Sequence, residues 1–163
     1  MVRAREALAA ALLTLCSASA AQAPGAVQAA QASALAWLTG SWRGSGTMFG
    51  NGSEATLIVR PVLGGRFLEF DYRAGPFEGR ALYRAAPDGA WQATWFDNRG
   101  ISFPIAGQVA GRTLTSEWGG AETERGRTVY RLADDGTLHV TDSVRRPDGS
   151  YRVFASHVLT RAQ

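Results

Sequence analysis

The sequence contains no lysine, and this absence shapes its charge pattern. All 17 basic residues are arginines, against 14 acidic residues, which gives a formal net charge of +3. The longest basic run is Arg145-Arg146, and acidic residues are interleaved with the other arginines. A nucleic-acid-binding surface normally shows a basic stripe or cluster, so we expect no nucleic-acid partner.

Long hydrophobic runs are also missing, and the single apolar stretch near the N-terminus is short. Arg3 and Arg5 precede an apolar run over residues 7–15, and small residues follow over 18–23. This order is typical of a secretory signal peptide, and the run is too short to span a bilayer. We predict a signal peptide over residues 1–20, with cleavage as late as residue 23, and a secreted or periplasmic protein without a transmembrane span.

Cysteine occurs once, as Cys16, inside the predicted signal peptide. Leu15 stands where a lipoprotein signal requires a small residue, so we expect no lipid anchor at Cys16. Cleavage then leaves a chain without thiols, which excludes disulfides, cysteine nucleophiles and cysteine-ligated metals. The two histidines, His139 and His157, are predicted on opposite strand faces, which argues against a zinc site.

The remaining chain has the composition of one folded domain. The sequence has 163 residues, of which 45% are hydrophobic, enough for a buried core. An Ala- and Gln-rich linker covers residues 21–32, and the domain covers 33–163. Ser33 is a suitable N-cap for a short helix that runs to Leu38 and ends before Gly40.

Beyond this segment the helical period disappears, and turn signals recur every ~8–12 residues, the pattern of an all-β chain. Because each run can pair with its sequence neighbour, we predict a monomeric, antiparallel, up-and-down β-barrel of about 8–10 strands, whose closure removes exposed edges. The predicted strands are 41–48, 54–62, 66–73, 77–85, 91–97, 101–109, 112–118, 123–132, 137–145 and 151–161.

Two groups of residues carry a family resemblance. The segment Leu35-x-x-Leu38-x-Gly40-x-Trp42-x-Gly44-x-Gly46 resembles the opening of calycin-type barrels such as lipocalins and fatty-acid-binding proteins. Further motifs resemble a group of secreted lipocalin-like domains of uncharacterised function: Gly64-Gly65-Arg66-Phe67-Leu68-Glu69, Gly79-x-x-x-Tyr83, Trp95-x-Asp97-x-x-Gly100 and the terminal Arg161. The resemblance implies a ligand-holding barrel in which Trp42 closes one end beneath Arg161. The chain lacks the cysteine pair of many lipocalins.

The opening glycines are also similar to those of nitrobindins, which are ten-stranded haem barrels. That resemblance implies haem ligation by a histidine of the last strand, and this chain has His157 there. Period-two alternation places His157 on the same face as Arg161. The Tyr-Pro pair that usually follows the glycines is replaced by Thr47-Met48.

The strongest pocket candidates are aromatic residues that alternation places on inward faces. Such residues can line an apolar binding pocket or form ordinary barrel core. The candidate pocket residues are Tyr83, Trp91, Trp95, Tyr130, Asp142 and His157.

We predict from these features a secreted barrel that binds a small apolar or amphipathic molecule without a cofactor. A haem barrel with His157 as axial ligand is one alternative. The other is a hydrolase-like enzyme with inward carboxylates, such as Asp142 and Glu69, because acid–base catalysis needs two converging groups. A catalytic triad of Ser156, His157 and Asp142 is excluded, because Ser156 and His157 are neighbours on one strand and their side chains point to opposite faces. Whether the protein is an enzyme stays open, with a non-catalytic role favoured.

Overall fold

The protein is a closed barrel of ten antiparallel strands. A computed structural model describes residues 34–86 and 88–162; the predicted signal peptide, the linker and Ser33 lie outside these ranges. Each strand pairs with its sequence neighbour, and β1 pairs with β10 to close the barrel. The strands are β1 (Gly40–Met48), β2 (Asn51–Val62), β3 (Phe67–Ala74), β4 (Phe77–Ala85), β5 (Trp91–Asp97), β6 (Ser102–Ala110), β7 (Thr113–Trp118), β8 (Gly126–Leu132), β9 (Leu138–Arg145) and β10 (Tyr151–Arg161). The predicted all-β antiparallel barrel is confirmed.

The predicted short helix over 33–38 is not supported. From Ala34 onward the described chain forms a turn, in which the Leu38 N–H donates to the Leu35 carbonyl at 2.9 Å and the Thr39 N–H to the Ala36 carbonyl at 3.2 Å. Between Ala34 and the strand that begins at Gly40, the described chain has too few residues for a propagated helix. The described ranges contain no helix with the length and apolar character needed to cross a membrane.

Alternation along the strands sets the inside of the barrel. On β4, Ala81 and Tyr83 are buried whereas Arg80 and Arg84 are exposed. The same two-residue period holds on β2, β3, β5 and β9, where apolar and aromatic residues point inward. Tight turns let consecutive strands pair with almost no offset, which the alternating pattern requires.

A β-bulge interrupts this alternation on β10. Val153 pairs with Ser143 and Ala155 pairs with the next residue of β9, so Phe154 is the extra residue. Consequently Val153 is exposed, contrary to the uniform alternation expected from the sequence. The bulge instead makes Phe154 part of the interior wall near one end of the barrel.

One end of the barrel is sealed by Trp42, which is 1% exposed. The Trp42 indole N–H donates to the Leu38 carbonyl at 2.8 Å. The Arg161 guanidinium lies 4.3 Å from the centre of a Trp42 ring and donates to the carbonyls of Thr39 and Trp37 at 2.9 and 3.0 Å. The N-terminal turn is therefore tied to the last strand across the closed end.

We expect Arg161→Ala to lower the free energy of unfolding by about 1–2 kcal/mol, because it removes a cation–π contact and two hydrogen bonds. Urea unfolding measures the change. Arg131→Ala is the control, since exposed Arg131 has no side-chain hydrogen bond, ion pair or ring contact with another described residue. Equal effects of the two substitutions would contradict the role assigned to Arg161.

Candidate functional site

The barrel encloses a cavity of about 630 Å³ that opens at the end opposite Trp42. Its rim is formed by the β1–β2, β3–β4 and β5–β6 turns, represented by Phe49, Pro76 and Asn98. Its walls come from the inward faces of several strands. A volume of this size lies within the range of small-molecule pockets, ~300–1,000 Å³.

Six aromatic side chains form a nearly continuous ring around the outer half of the cavity, which we call the aromatic belt. Neighbouring ring centroids along the belt are 5.2–6.5 Å apart, and four of the five contacts are stacked. The belt consists, in spatial order, of Phe77, Trp95, Phe103, Trp118, Phe154 and Phe49. It gives a ligand broad apolar ring surfaces at the mouth.

Glycines on neighbouring strands seat the two tryptophans of the belt. A Cβ added at Gly79 would lie 2.0 Å from the Trp95 ring, and one added at Gly126 would lie 2.1 Å from the Trp118 ring. Only glycine therefore lets these indoles lie against the barrel wall. The indole N–H of Trp118 donates to the Thr128 hydroxyl at 3.2 Å, which fixes the ring further.

Deeper in the cavity the lining becomes polar and is dominated by tyrosines. Tyr72, Tyr83 and Tyr130 are each no more than 5% exposed. Burial raises the pKa of all three phenols, so they stay neutral at physiological pH. The Tyr83 hydroxyl is paired with the Ser116 hydroxyl at 2.9 Å, whereas the Tyr130 hydroxyl has no hydrogen-bond partner among the described residues.

Asp142 is the buried acid of this deeper part. Its Oδ1 accepts a hydrogen bond of 2.6 Å from the Thr128 hydroxyl. Burial raises the pKa of Asp142 to about 6, and the Thr128 bond offsets part of that increase. The side chain therefore changes charge close to neutral pH.

His157 faces inward but is not part of the cavity wall. It is 1% exposed, and its Nδ1 is 3.0 Å from the hydroxyl of Tyr72, which does line the cavity. Its Nε2 is fully enclosed and has no hydrogen-bond partner within residues 34–86 and 88–162. Burial lowers the pKa of His157, so the imidazole is neutral at neutral pH.

A neutral histidine is the form that binds haem iron, but an iron atom also needs open space beside the ligating nitrogen. In His157 the Nδ1 is hydrogen-bonded to the Tyr72 hydroxyl, and the Nε2 is enclosed by the surrounding protein. The arrangement therefore does not fit haem ligation by His157. The described residues also contain no cluster of three or more potential metal-ligating side chains.

The other pocket residues predicted from the sequence differ in whether they line the cavity. Tyr83, Trp95, Tyr130 and Asp142 line one cavity. Trp91 is buried near the closed end, outside the lining.

Glu69, the carboxylate that the sequence suggested as a partner for Asp142, does not point into the cavity. Glu69 and Asp71 point outward on β3, where Glu69 pairs with Arg60 at 2.6 Å and Asp71 with Arg80 at 3.1 Å. Leu68, Phe70 and Tyr72 occupy the inner face of that strand. The combination of Glu69 with Asp142 is thus ruled out by the orientation of β3.

Sequence reasoning missed most of the belt. Alternation along the strands could have predicted three of its members, because Phe77, Phe103 and Trp118 occupy inward positions. Phe154 carried no such signal, because the bulge that turns it inward is not evident from alternation.

A second depression, of about 990 Å³, lies outside the barrel across β4–β8. It is open to solvent, and charged or polar side chains such as Arg84, Gln92 and Arg125 contribute to its lining. The enclosed, aromatic interior cavity is the better candidate site, because ligand pockets bury most of a ligand's surface.

Comparison with protein-family models and with curated proteins finds no match for this chain. The fold defines the class: a closed, ten-stranded antiparallel barrel that is compatible with a calycin-like architecture.

Proposed function

We propose that this protein is a secreted, calycin-like binding barrel that holds a small apolar or amphipathic molecule in its interior. The observation that carries the proposal is the 630 Å³ cavity with the aromatic belt at its open end. The sealed end beneath Trp42 makes the cavity a pocket with one entrance. The predicted signal peptide is consistent with a role outside the cytoplasm.

The energetics favour a modest ligand. Burying apolar surface contributes ~25 cal/mol per Å², and a preformed wall reduces the ordering cost of binding. Trp95 and Trp118 are held by Gly79 and Gly126, so their faces are available without rearrangement of the strands. Haem binding and hydrolysis receive no comparable support, since His157 is enclosed and Glu69 points outward.

A cavity-filling substitution tests the proposal. Val144 lines the cavity near its mouth, so we expect Val144→Trp to weaken binding of a neutral apolar probe, N-phenyl-1-naphthylamine, about tenfold by removing contact area. Probe fluorescence and quenching of the belt tryptophans report binding.

Val158→Trp is the matched control, because Val158 is 46% exposed on the outer face of β10. It adds the same ring without entering the cavity, and we expect binding like that of the unmodified protein. If the two variants weaken binding equally, or if the unmodified protein does not bind the probe, interior binding is wrong.

A further inference from the structure

We propose that the ligand presents a protonated amine to the deep end of the cavity, where it meets Asp142 and the surrounding tyrosines. This inference rests on the proposed function and adds the chemical class of the ligand: an amphipathic organic cation. The apolar part of the ligand contacts the aromatic belt, and the charged nitrogen of the ligand lies deeper in the cavity, next to Asp142.

The first support is an unused carboxylate oxygen. Asp142 is 9% exposed, and its Oδ1 is occupied by Thr128. Its Oδ2 has no hydrogen-bond partner in the described ranges, yet it is not sealed by protein, so it faces the cavity. A buried acceptor aimed into an enclosed space is suited to a ligand that donates hydrogen bonds.

The second support is the lack of a protein counter-ion. Buried carboxylates are normally paired with a cation, because an isolated charge in a low-dielectric interior is strongly unfavourable. No arginine of the described chain forms an ion pair with Asp142. Of the two arginines in the cavity lining, Arg99 is paired with Asp97 at 2.7 Å and Arg152 is exposed. A cationic ligand supplies the missing charge.

The third support is the aromatic character of the surrounding wall. Tyr72, Tyr83 and Tyr130 lie close enough to Asp142 for its charge to raise the pKa of each phenol. The faces of aromatic rings attract organic cations, most strongly where water is excluded. The free Tyr130 hydroxyl adds an acceptor that a donor N–H can use. A carboxylate within an aromatic enclosure favours an ammonium over an anion of equal size.

Three probes with the same alkyl chain separate charge from hydrophobicity. Isothermal titration calorimetry compares decylammonium, 1-decanol and decanoate on the full chain and on Asp142→Asn at pH 7.5. For the unmodified protein we expect decylammonium to bind about tenfold more tightly than decanol, and decanoate to bind most weakly. The Asn variant keeps the size of the side chain and an acceptor for Thr128, so the ratio of the ammonium and decanol affinities reports the effect of the charge even if both affinities change.

The proposal requires the ammonium preference to disappear in Asp142→Asn. An ammonium-to-decanol affinity ratio that is the same in both proteins would overturn it, and the proposed function would survive. Binding of none of the three probes would overturn the proposed function as well.

The pH dependence gives a test that needs no variant. At one pH unit below its pKa only about a tenth of Asp142 is charged, so a tenfold ammonium preference that requires this charge falls to about twofold, and the ammonium-to-decanol ratio should rise about fivefold from pH 5 to 7.5. A flat ratio would contradict the inference. The other titratable or charged groups around the cavity are Tyr72 of β3, Tyr83 of β4, Tyr130 of β8, His157 of β10 behind Tyr72, and Arg99, Glu124 and Arg152 near the mouth. Because Asp142→Asn leaves all of them in place, a rise that persists in this variant would assign the effect to one of them.

Discussion

Gly46→Ala is expected to destabilise the barrel by about 3 kcal/mol, because the added methyl group meets backbone rather than a movable side chain. A Cβ at this position would lie 1.9 Å from the Ser156 carbonyl oxygen and 2.7 Å from the His157 Cα. Both atoms belong to β10, the strand that closes the barrel against β1. Relief of the clash requires the closing pair of strands to separate, which weakens their hydrogen bonds. Urea unfolding measures the loss.

Gly52→Ala is the matched control on the neighbouring strand. A Cβ at Gly52 meets no atom within 4 Å, and its backbone lies outside the left-handed region. We expect this substitution to change the free energy of unfolding by no more than about 0.5 kcal/mol. If Gly46→Ala were as mild, the close approach of β1 and β10 would have no energetic importance.

This steric requirement explains the Gly-rich segment that begins the domain. Gly44 shows the same crowding, with a Cβ that would lie 2.1 Å from the Val158 carbonyl oxygen. Trp42, two residues earlier, fills the closed end beneath Arg161. The segment therefore has a structural role at barrel closure, and the residues that line the cavity lie elsewhere.

Asp142→Asn is expected to stabilise the protein near neutral pH and to have less effect in acid. The folded-state pKa of about 6 exceeds the unfolded value of about 3.9, so the folded protein holds this proton more tightly. Below pH 4 the carboxyl is protonated in both states and carries no charge penalty. As pH rises from about 4 to 6, the unfolded chain releases this proton while the folded state retains it, so about 2–3 kcal/mol of stability is lost. Above about pH 6 the loss levels off, because the folded carboxyl then ionises as well.

The Asn variant does not titrate and avoids this loss. Urea unfolding at pH 4, 5, 6 and 7.5 should show its stability advantage over the unmodified protein growing by about 2–3 kcal/mol across the series. Asp134→Asn, at an exposed surface site, is expected to stay within about 0.5 kcal/mol throughout. A constant difference between Asp142→Asn and the unmodified protein would show that burial does not raise the pKa of this carboxyl.

The strand layout could be predicted from the sequence because local signals and the tertiary structure agree. Turns such as Gly64-Gly65 and Asp135-Gly136 mark strand ends, and alternation assigns the inner face between them. The N-terminal segment misled the prediction, since Leu35 and Leu38 share a helical face but pack against the barrel from a single turn.

The site was only partly predictable, because alternation gives the face of a residue but not its depth. Trp91 and Trp95 share an inner face, yet only Trp95 reaches the cavity. His157 also points inward, but it does not reach the cavity. Tyr72, which is hydrogen-bonded to His157, lines the cavity instead. Depth depends on the stagger of strands and on the bulge at Phe154, which arise from pairing across the whole barrel.

The central claim is that the interior of the barrel is a binding pocket, and a crystal structure with a neutral apolar ligand tests it most directly. With 1-decanol at a saturating concentration, we predict electron density inside the barrel, between the aromatic belt and Asp142. Density confined to the outer depression across β4–β8, or an interior filled by side chains with no density for the ligand, would contradict the claim.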